Sequence, residues 1–224
     1  MKHVMIVIPT RNRWYKLTRM LSSVPTYDWL SVAVVCDGDA ETHRKLLEVE
    51  KQGANLTTIL LPQQQGSVAA RNAFLRTHGA PGFDDGVLYA TDDIEFEKGA
   101  IEQALKMFNL VFPDDDGVVG FAQDRSHHPS GVGLVGKKFL ARYPDKQLFN
   151  PEYFHFGAQE IYWLANDVLK KFVYEPRARL EHYHPAFFPL AMDKTHREAR
   201  KYKSEDMALL KRREAAGLVW GSAA

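Results

Sequence analysis

Hydrophobic and polar positions follow two alternating periods through the first half of the chain. Residues 3–8 ("HVMIVI") are a β-branched apolar run, and "PTRNRWYKLTRMLSSV" then sets Leu17, Met20, Leu21 and Val24 at helical spacing. The cycle repeats. "SVAVVC" (31–36) predicts a second buried strand and "THRKLLEVEKQ" the helix behind it; "NLTTILL" predicts a third strand and "SVAARNAFLRTHG" a helix closed by Gly79. A fourth strand in "GVLYATDDIEFEKG" (86–99) leads to the helix "EKGAIEQALKMFNLVF". Continuous apolar strands alternating with helices of this length specify a mainly parallel sheet covered on both faces.

The second half is less regular. "DGVVGFAQD" (117–124) predicts another core strand, "RSHHPSGVGLVGKK" a loop or short hairpin, "GAQEIYWLANDVLKKF" a helix and "ARLEHYH" (178–184) a strand. From Asp193 to about Gly217 the chain is charged and helix-prone, with Met207, Leu209 and Leu210 as its apolar contacts. No repeat or linker interrupts the pattern. The expected organisation is one α/β domain over residues 1–190, with a basic helical extension at 191–224 packed on it.

Composition narrows the class. A chain of 224 residues, 45% hydrophobic and 25% charged, buries a sizeable core like an ordinary globular protein. Its apolar runs are too short to span a bilayer and its first ten residues read as a strand rather than a signal sequence, so a cytoplasmic enzyme without membrane insertion is expected. The single cysteine, Cys36, excludes an internal disulfide framework and a multi-cysteine zinc site. A net charge of +1 gives no global pull toward nucleic acid, but residues 194–217 carry eight Lys/Arg against four Asp/Glu. Such a run suits either a solvated helix face or contact with a polyanion.

In a doubly wound sheet, ligands collect beyond the carboxyl ends of the strands. Those ends carry Pro9, Thr10 and Arg11, then Asp37-Gly38-Asp39, a glutamine-glycine loop, and Asp92-Asp93 with Glu95 and Glu97 behind. Adjacent carboxylates repel unless a cation sits between them or one takes a proton. A divalent metal is one such cation; capping of the next helix, with Glu97 in the right zone, is the alternative. Arg71, near the start of a helix, suits an anion contact or a solvated position, and Asn72 a cap or a surface site. Glu160 opens a helix beside aromatic residues, as a general base or as a complement to the helix dipole. His182 and His184 share one face of a strand and suit metal binding or its support, whereas His127 and His128 lie in a loop, at the surface or against an acceptor.

In this order the motifs resemble a GT-A fold glycosyltransferase of inverting family 2. "VMIVIPTRNRWYKLTRMLSSV" resembles the family's opening strand, Pro-Thr turn and first helix, and "VAVVCDGDAETH" its second strand and acidic turn. The resemblance implies that Asp37 reads the uracil of a UDP-sugar, with Cys36 in place of the usual first acid. "QQGSVAARNAFL" is similar to the Gly-x-x-x-Ala-Arg-Asn helix and implies that Arg71 contacts the donor base or phosphates. "YATDDIEF" resembles the DxD-type motif: Thr91 replaces a frequent first acid, Asp92 would face the ribose or metal, and Asp93 would bind Mn²⁺ or Mg²⁺. "GAQEIYWLAN" stands where the family often has Glu-Asp opening a helix, which implies Glu160 as catalytic base; "EHYHP" resembles the late histidine that completes the metal site, with His182 and His184 both eligible.

The implied reaction moves a sugar with inversion from a nucleotide-sugar to an acceptor hydroxyl, on a glycan or on a hydroxymethylated base in DNA. Two rival classes share some features. A nucleotidyltransferase of similar fold usually needs a Gly-rich loop after the first strand, and "PTRNRWYK" has no glycine. A non-catalytic nucleic-acid-binding module would not need Asp37, Asp93, Glu160 and His184 together.

Overall fold

The computed structural model describes residues 1, 3–78, 86–123, 131–186 and 188–221; Gly79, His127 and His128 lie outside them. The first half follows the predicted alternation closely. Strands β1 (Val4–Thr10), β2 (Leu30–Asp37), β3 (Leu56–Leu61) and β4 (Gly86–Tyr89) alternate with helices α1 (Trp14–Ser22), α2 (Ala40–Lys51) and α3 (Ser67–His78). Next come β5 (Ile94–Phe96), α4 (Ala100–Val111), β6 (Val118–Gln123), β7 (Gly133–Gly136) and the short α5 (Lys137–Leu140). The chain closes with α6 (Ala158–Tyr162), β8 (Phe172–His182) and α7 (Lys194–Ala215).

All eight strands form one mixed sheet in the order β3-β2-β1-β4-β7-β6-β8-β5. β1 lies between β2 and β4, parallel to both, so its two faces are covered. Alternation along β1 sends Val4, Ile6 and Ile8 into a cluster with Leu17, Leu46 and Phe108, while Val7 joins Phe74, Phe149 and Ile161 on the other face. The candidate residues sit where these strands end.

Four departures from the sequence reading have local causes. The fourth strand stops at Tyr89, and β5 crosses to the far edge to pair antiparallel with β8, because Ile94 and Phe96 bury in the first cluster. The stretch expected as a loop or hairpin contributes β7, an interior strand antiparallel to both β4 and β6; at four residues it is too short to show a period. β8 begins at Phe172, earlier than expected, and ends at His182, so His184 lies past the strand. The helix that starts at Ala158 widens over Trp163–Val168, where the Leu169 amide reaches back five residues to the Leu164 carbonyl.

Candidate active site

The cation between the paired carboxylates is Arg13. From the turn after β1, its guanidinium lies 2.9 Å from Asp92 and 3.5 Å from Asp93, and it also reaches Asp193 at 3.0 Å. Asp92 accepts a second hydrogen bond from the Thr10 hydroxyl at 2.8 Å. Both carboxylates are buried, at 4% and 3% exposure, so their electrostatics are strong. Burial raises the Asp92 pKa despite Arg13. Burial also opposes ionisation of Asp93, but hydrogen bonds from His182 and His196, with Arg13 nearby, hold it well below the usual carboxylate range.

His196 is the residue the sequence reading missed. It sits in the first turn of α7, its Nε2 is 3.0 Å from Asp93, and its backbone amide donates to Asp193, the helix N-cap. The signal available was the spacing "DKTH", an N-cap acid three residues before a histidine, which only helix geometry links to a site over one hundred residues away. His182 Nε2 lies 3.3 Å from Asp93, and the His184 ring packs 5.4 Å from the rings of both His182 and His196.

One contact bears on metal binding. His182 Nδ1 is 2.9 Å from the Gln123 side-chain oxygen, an acceptor, so Nδ1 carries the proton. Nε2 then faces Asp93. A histidine held in this way by its other nitrogen is the usual support for a metal ligand. Among the described residues, no three His, Cys, Asp or Glu side chains are arranged to enclose an ion. The donor set of one carboxylate and neighbouring imidazoles nevertheless fits Mn²⁺ chemically.

Asp37 closes the opposite side. Its two oxygens accept from the backbone amides of Gln65 and Gly66, at 2.6 and 2.9 Å, which ties the glutamine-glycine loop to the end of β2. Burial outweighs these bonds and leaves the Asp37 pKa raised. Gly38 and Gly66 hold this corner at φ +65° and +94°; a side chain at Gly38 would meet the Gln64 amide and Arg11, and one at Gly66 the Phe154 carbonyl. Arg11 donates to the carbonyls of Asp37 and Gly38.

Arg71 is buried with only 5% exposure, and among the described residues no carboxylate lies within ion-pair distance of it. One nitrogen donates to the Ala90 carbonyl at 3.0 Å, while Nε has no hydrogen-bond partner among the described residues. Burial drags its pKa to about 10, still ionised at neutral pH. Asn72 instead bridges to the Phe149 backbone in both directions and serves the fold.

These groups line a cavity of about 470 Å³, in the range of small-molecule sites. Among the described residues, Pro9, Thr10, Arg11, Asp37, Arg71, Asp92, Asp93, His182 and His184 line it, and Glu160 does not. Glu160 is 1% exposed and accepts from the Tyr153 hydroxyl at 2.5 Å, Arg213 Nε at 2.6 Å and the Trp220 amide at 2.7 Å. The structure therefore places it against the C-terminal segment, away from the cavity, and its neighbour Gln159 takes the cavity side.

A second acid of α7 shapes the wall. Asp206 accepts from the backbone amides of Phe154, His155 and Phe156 at 2.8–3.0 Å, fixing a loop that faces the cavity. Asp206→Ala is expected to destabilise the protein by about 2 kcal/mol, since buried amides lose their acceptor. Denaturant unfolding checks this; an unchanged midpoint would show that the loop holds itself.

Parallel strands and the helix α3 bring a buried acid pair, an arginine without an ion pair and a loop-held aspartate to one crevice at the carboxyl ends of the strands, where α/β sheets bind ligands. The chain belongs to glycosyl transferase family 2, whose model matches residues 5–159. Solved structures agree on a GT-A fold. A mannosyltransferase, PcManGT from Pyrobaculum calidifontis, in complex with GDP-Man and Mn²⁺, matches at TM-score 0.61 and 17% identity over 80% of this chain and 56% of its own. S. aureus TarS 1–349 matches at 0.58 and 16% identity, over 84% of this chain and 63% of its own. GalNAc-T7 with UDP, GalNAc and Mn²⁺ matches at 0.65 and 13% identity, over 81% and 44%. No curated protein matches the chain in sequence. The family match ends at residue 159, so Glu160, His182, His184 and His196 lie outside it. Among the described residues no helix is long and apolar enough to cross a membrane.

Proposed function

We propose that the chain is a metal-dependent inverting glycosyltransferase that moves a sugar from a nucleotide-sugar, in first place a UDP-sugar, to an acceptor hydroxyl. The observation that carries this reading is Arg71, a buried cation that opens on the cavity without a counter-ion. Asp92 and Asp93 attract it only at a distance and the Phe149 ring lies 5.0 Å away, so an arriving diphosphate supplies the direct ionic partner it lacks. Asp37, fixed by the loop amides, is the group for the base; Pro9, Thr10 and Arg11 border the same side, and Asp92 faces the ribose. Asp93 with His184 and His182 would hold Mn²⁺ or Mg²⁺, and the ion supplies Lewis-acid stabilisation of the departing diphosphate.

Inversion requires a proton acceptor on the acceptor side. Glu160 is committed to Arg213, and we assign the proton to His155, which lines the cavity. Burial and the charges of Arg71 and Arg13 push its pKa down to about 4, so its imidazole is neutral. A bound diphosphate offsets those charges and makes the ring more basic when the donor is in place.

Thermal melting with UDP-, GDP- and dTDP-sugars, with and without Mn²⁺, tests the reading. A ligand at a hundred times its Kd stabilises by about 2.7 kcal/mol, a rise of roughly 5–10 °C for a chain of this size. Arg71→Met is expected to melt no lower than the parent, because it removes an uncompensated buried charge, and to lose the shift. A shift that survives in Arg71→Met, or no shift with any nucleotide-sugar, overturns the reading.

A further inference from the structure

α7 is a wall of the cavity. Thr195, Ala199, Lys203 and Met207, four residues apart, line it alongside His196. The adjoining face is strongly basic: Arg197, Arg200, Lys201, Lys203, Lys211 and Arg212 are exposed, against the exposed acids Glu205 and Glu214. None of these six cations makes an ion pair or side-chain hydrogen bond with the described residues. Acids near the helix start are already used, Glu198 by Arg11 and Lys194.

Aromatic rings interleave with this charge. Tyr202, between Lys201 and Lys203, stacks on Phe154 with centroids 3.7 Å apart and planes 20° from parallel. Phe154 and Phe156 line the cavity beside Lys203, on the loop that Asp206 clamps. Rigid aromatic faces set among unpaired cations are the chemistry that grips single-stranded nucleic acid: bases stack and phosphates pair. A neutral glycan has no use for the cations.

We propose that the acceptor side of this site takes a single strand of nucleic acid, or a nucleotide turned out of a duplex, with phosphates on Lys203 and its i,i−3 neighbour Arg200 and a base against the Phe154–Tyr202 and Phe156 rings. As an account of the acceptor, this rests on the glycosyltransferase reading. A hydroxyl oxygen on the bound nucleotide forms the bond to the anomeric carbon, and the bond from that carbon to the phosphate oxygen breaks. The electron pair leaves with the nucleoside diphosphate, and the hydroxyl proton passes to the cavity base. A base inside a duplex would have to leave its stack first.

Fluorescence anisotropy of a labelled single-stranded oligonucleotide, titrated with the full chain at several salt concentrations, tests the proposal. Two phosphate contacts predict a log–log salt slope of about −1.4, a weakening of roughly sevenfold between 50 and 200 mM salt. Arg200→Ala/Lys203→Ala is expected to weaken binding at least tenfold and flatten the slope, and Tyr202→Ala to weaken it about tenfold; Lys106→Ala, an exposed cation on α4, leaves both unchanged. Absence of binding overturns the proposal, as does equal affinity for heparin, which has no bases. The melting shift with UDP-sugar is read on the same variants. Oligonucleotide binding without any donor shift keeps the surface and removes the transfer; a donor shift without oligonucleotide binding keeps the transferase and removes this acceptor.

Discussion

Arg13→Met is expected to cost the fold about 3–5 kcal/mol, because it leaves two buried carboxylates facing each other without their cation. For a chain of this length that is a fall in melting temperature of roughly 10 °C or more. Arg13 touches Asp92, Asp93 and Asp193 together, so its loss also removes one tie to the N-cap of α7, leaving Lys16 on Asp193 and the Thr195 hydroxyl on the Arg11 carbonyl. The same variant turns a structural site into a metal-hungry one. Mn²⁺ is expected to restore more stability to Arg13→Met than to the parent, since a divalent ion replaces the missing charge at the same carboxylates. Melting curves with and without Mn²⁺ check both halves. A variant that melts within about 2 °C of the parent would mean the acid pair is relieved by water instead.

The second large effect separates stability from turnover at Glu160. Glu160→Ala is expected to lose about 3–5 kcal/mol, because Arg213 keeps its buried charge while the Tyr153 hydroxyl and Trp220 amide lose their acceptor. Glu160→Gln keeps part of that network and is expected to turn over within a few-fold of the parent per folded molecule. His155→Gln is expected to fold normally and lose at least a hundredfold in turnover, the usual scale of general-base catalysis. Transfer rates normalised to folded protein decide the assignment. A hundredfold loss in Glu160→Gln with an intact fold returns the base to Glu160 and implies that the C-terminal segment swings away during the reaction.

What the sequence disclosed, and what it withheld, follows from range. Strands β1 to β3 and helices α1 to α4 were legible because each is long, periodic and locally determined; β4, only four residues long, showed as an apolar run placed between two such helices, and the polar residues at the strand ends followed from the topology. β7 was hidden because Gly133–Gly136 has no room for a period and pairs with strands far away in sequence. The acid pair at Asp92 and Asp93 was visible, but its partner was not: Arg13 lies 79 residues from Asp92 and reads locally as one of several basic residues in a turn. His196 and Asp206 were missed for a related reason. A charged helix shows its apolar stripe in sequence, whereas its buried polar anchors look like any other polar position until their partners are known. Glu160 marks a limit of resemblance, since a carboxylate at the expected place in the motif turned toward Arg213.

The distance in sequence between Asp93 and His196, 103 residues, sets an order of events during synthesis. Domains gain structure from the N-terminus as the chain leaves the ribosome, so the elements bearing Arg13, Asp37 and Arg71 emerge long before α7. Until Asp193 and His196 arrive, Arg13 and Asp93 lack their third partners and the cavity has no wall on the α7 side. A ribosome-stalled chain ending near residue 190 therefore carries most of the sheet with the cavity still open on the α7 side.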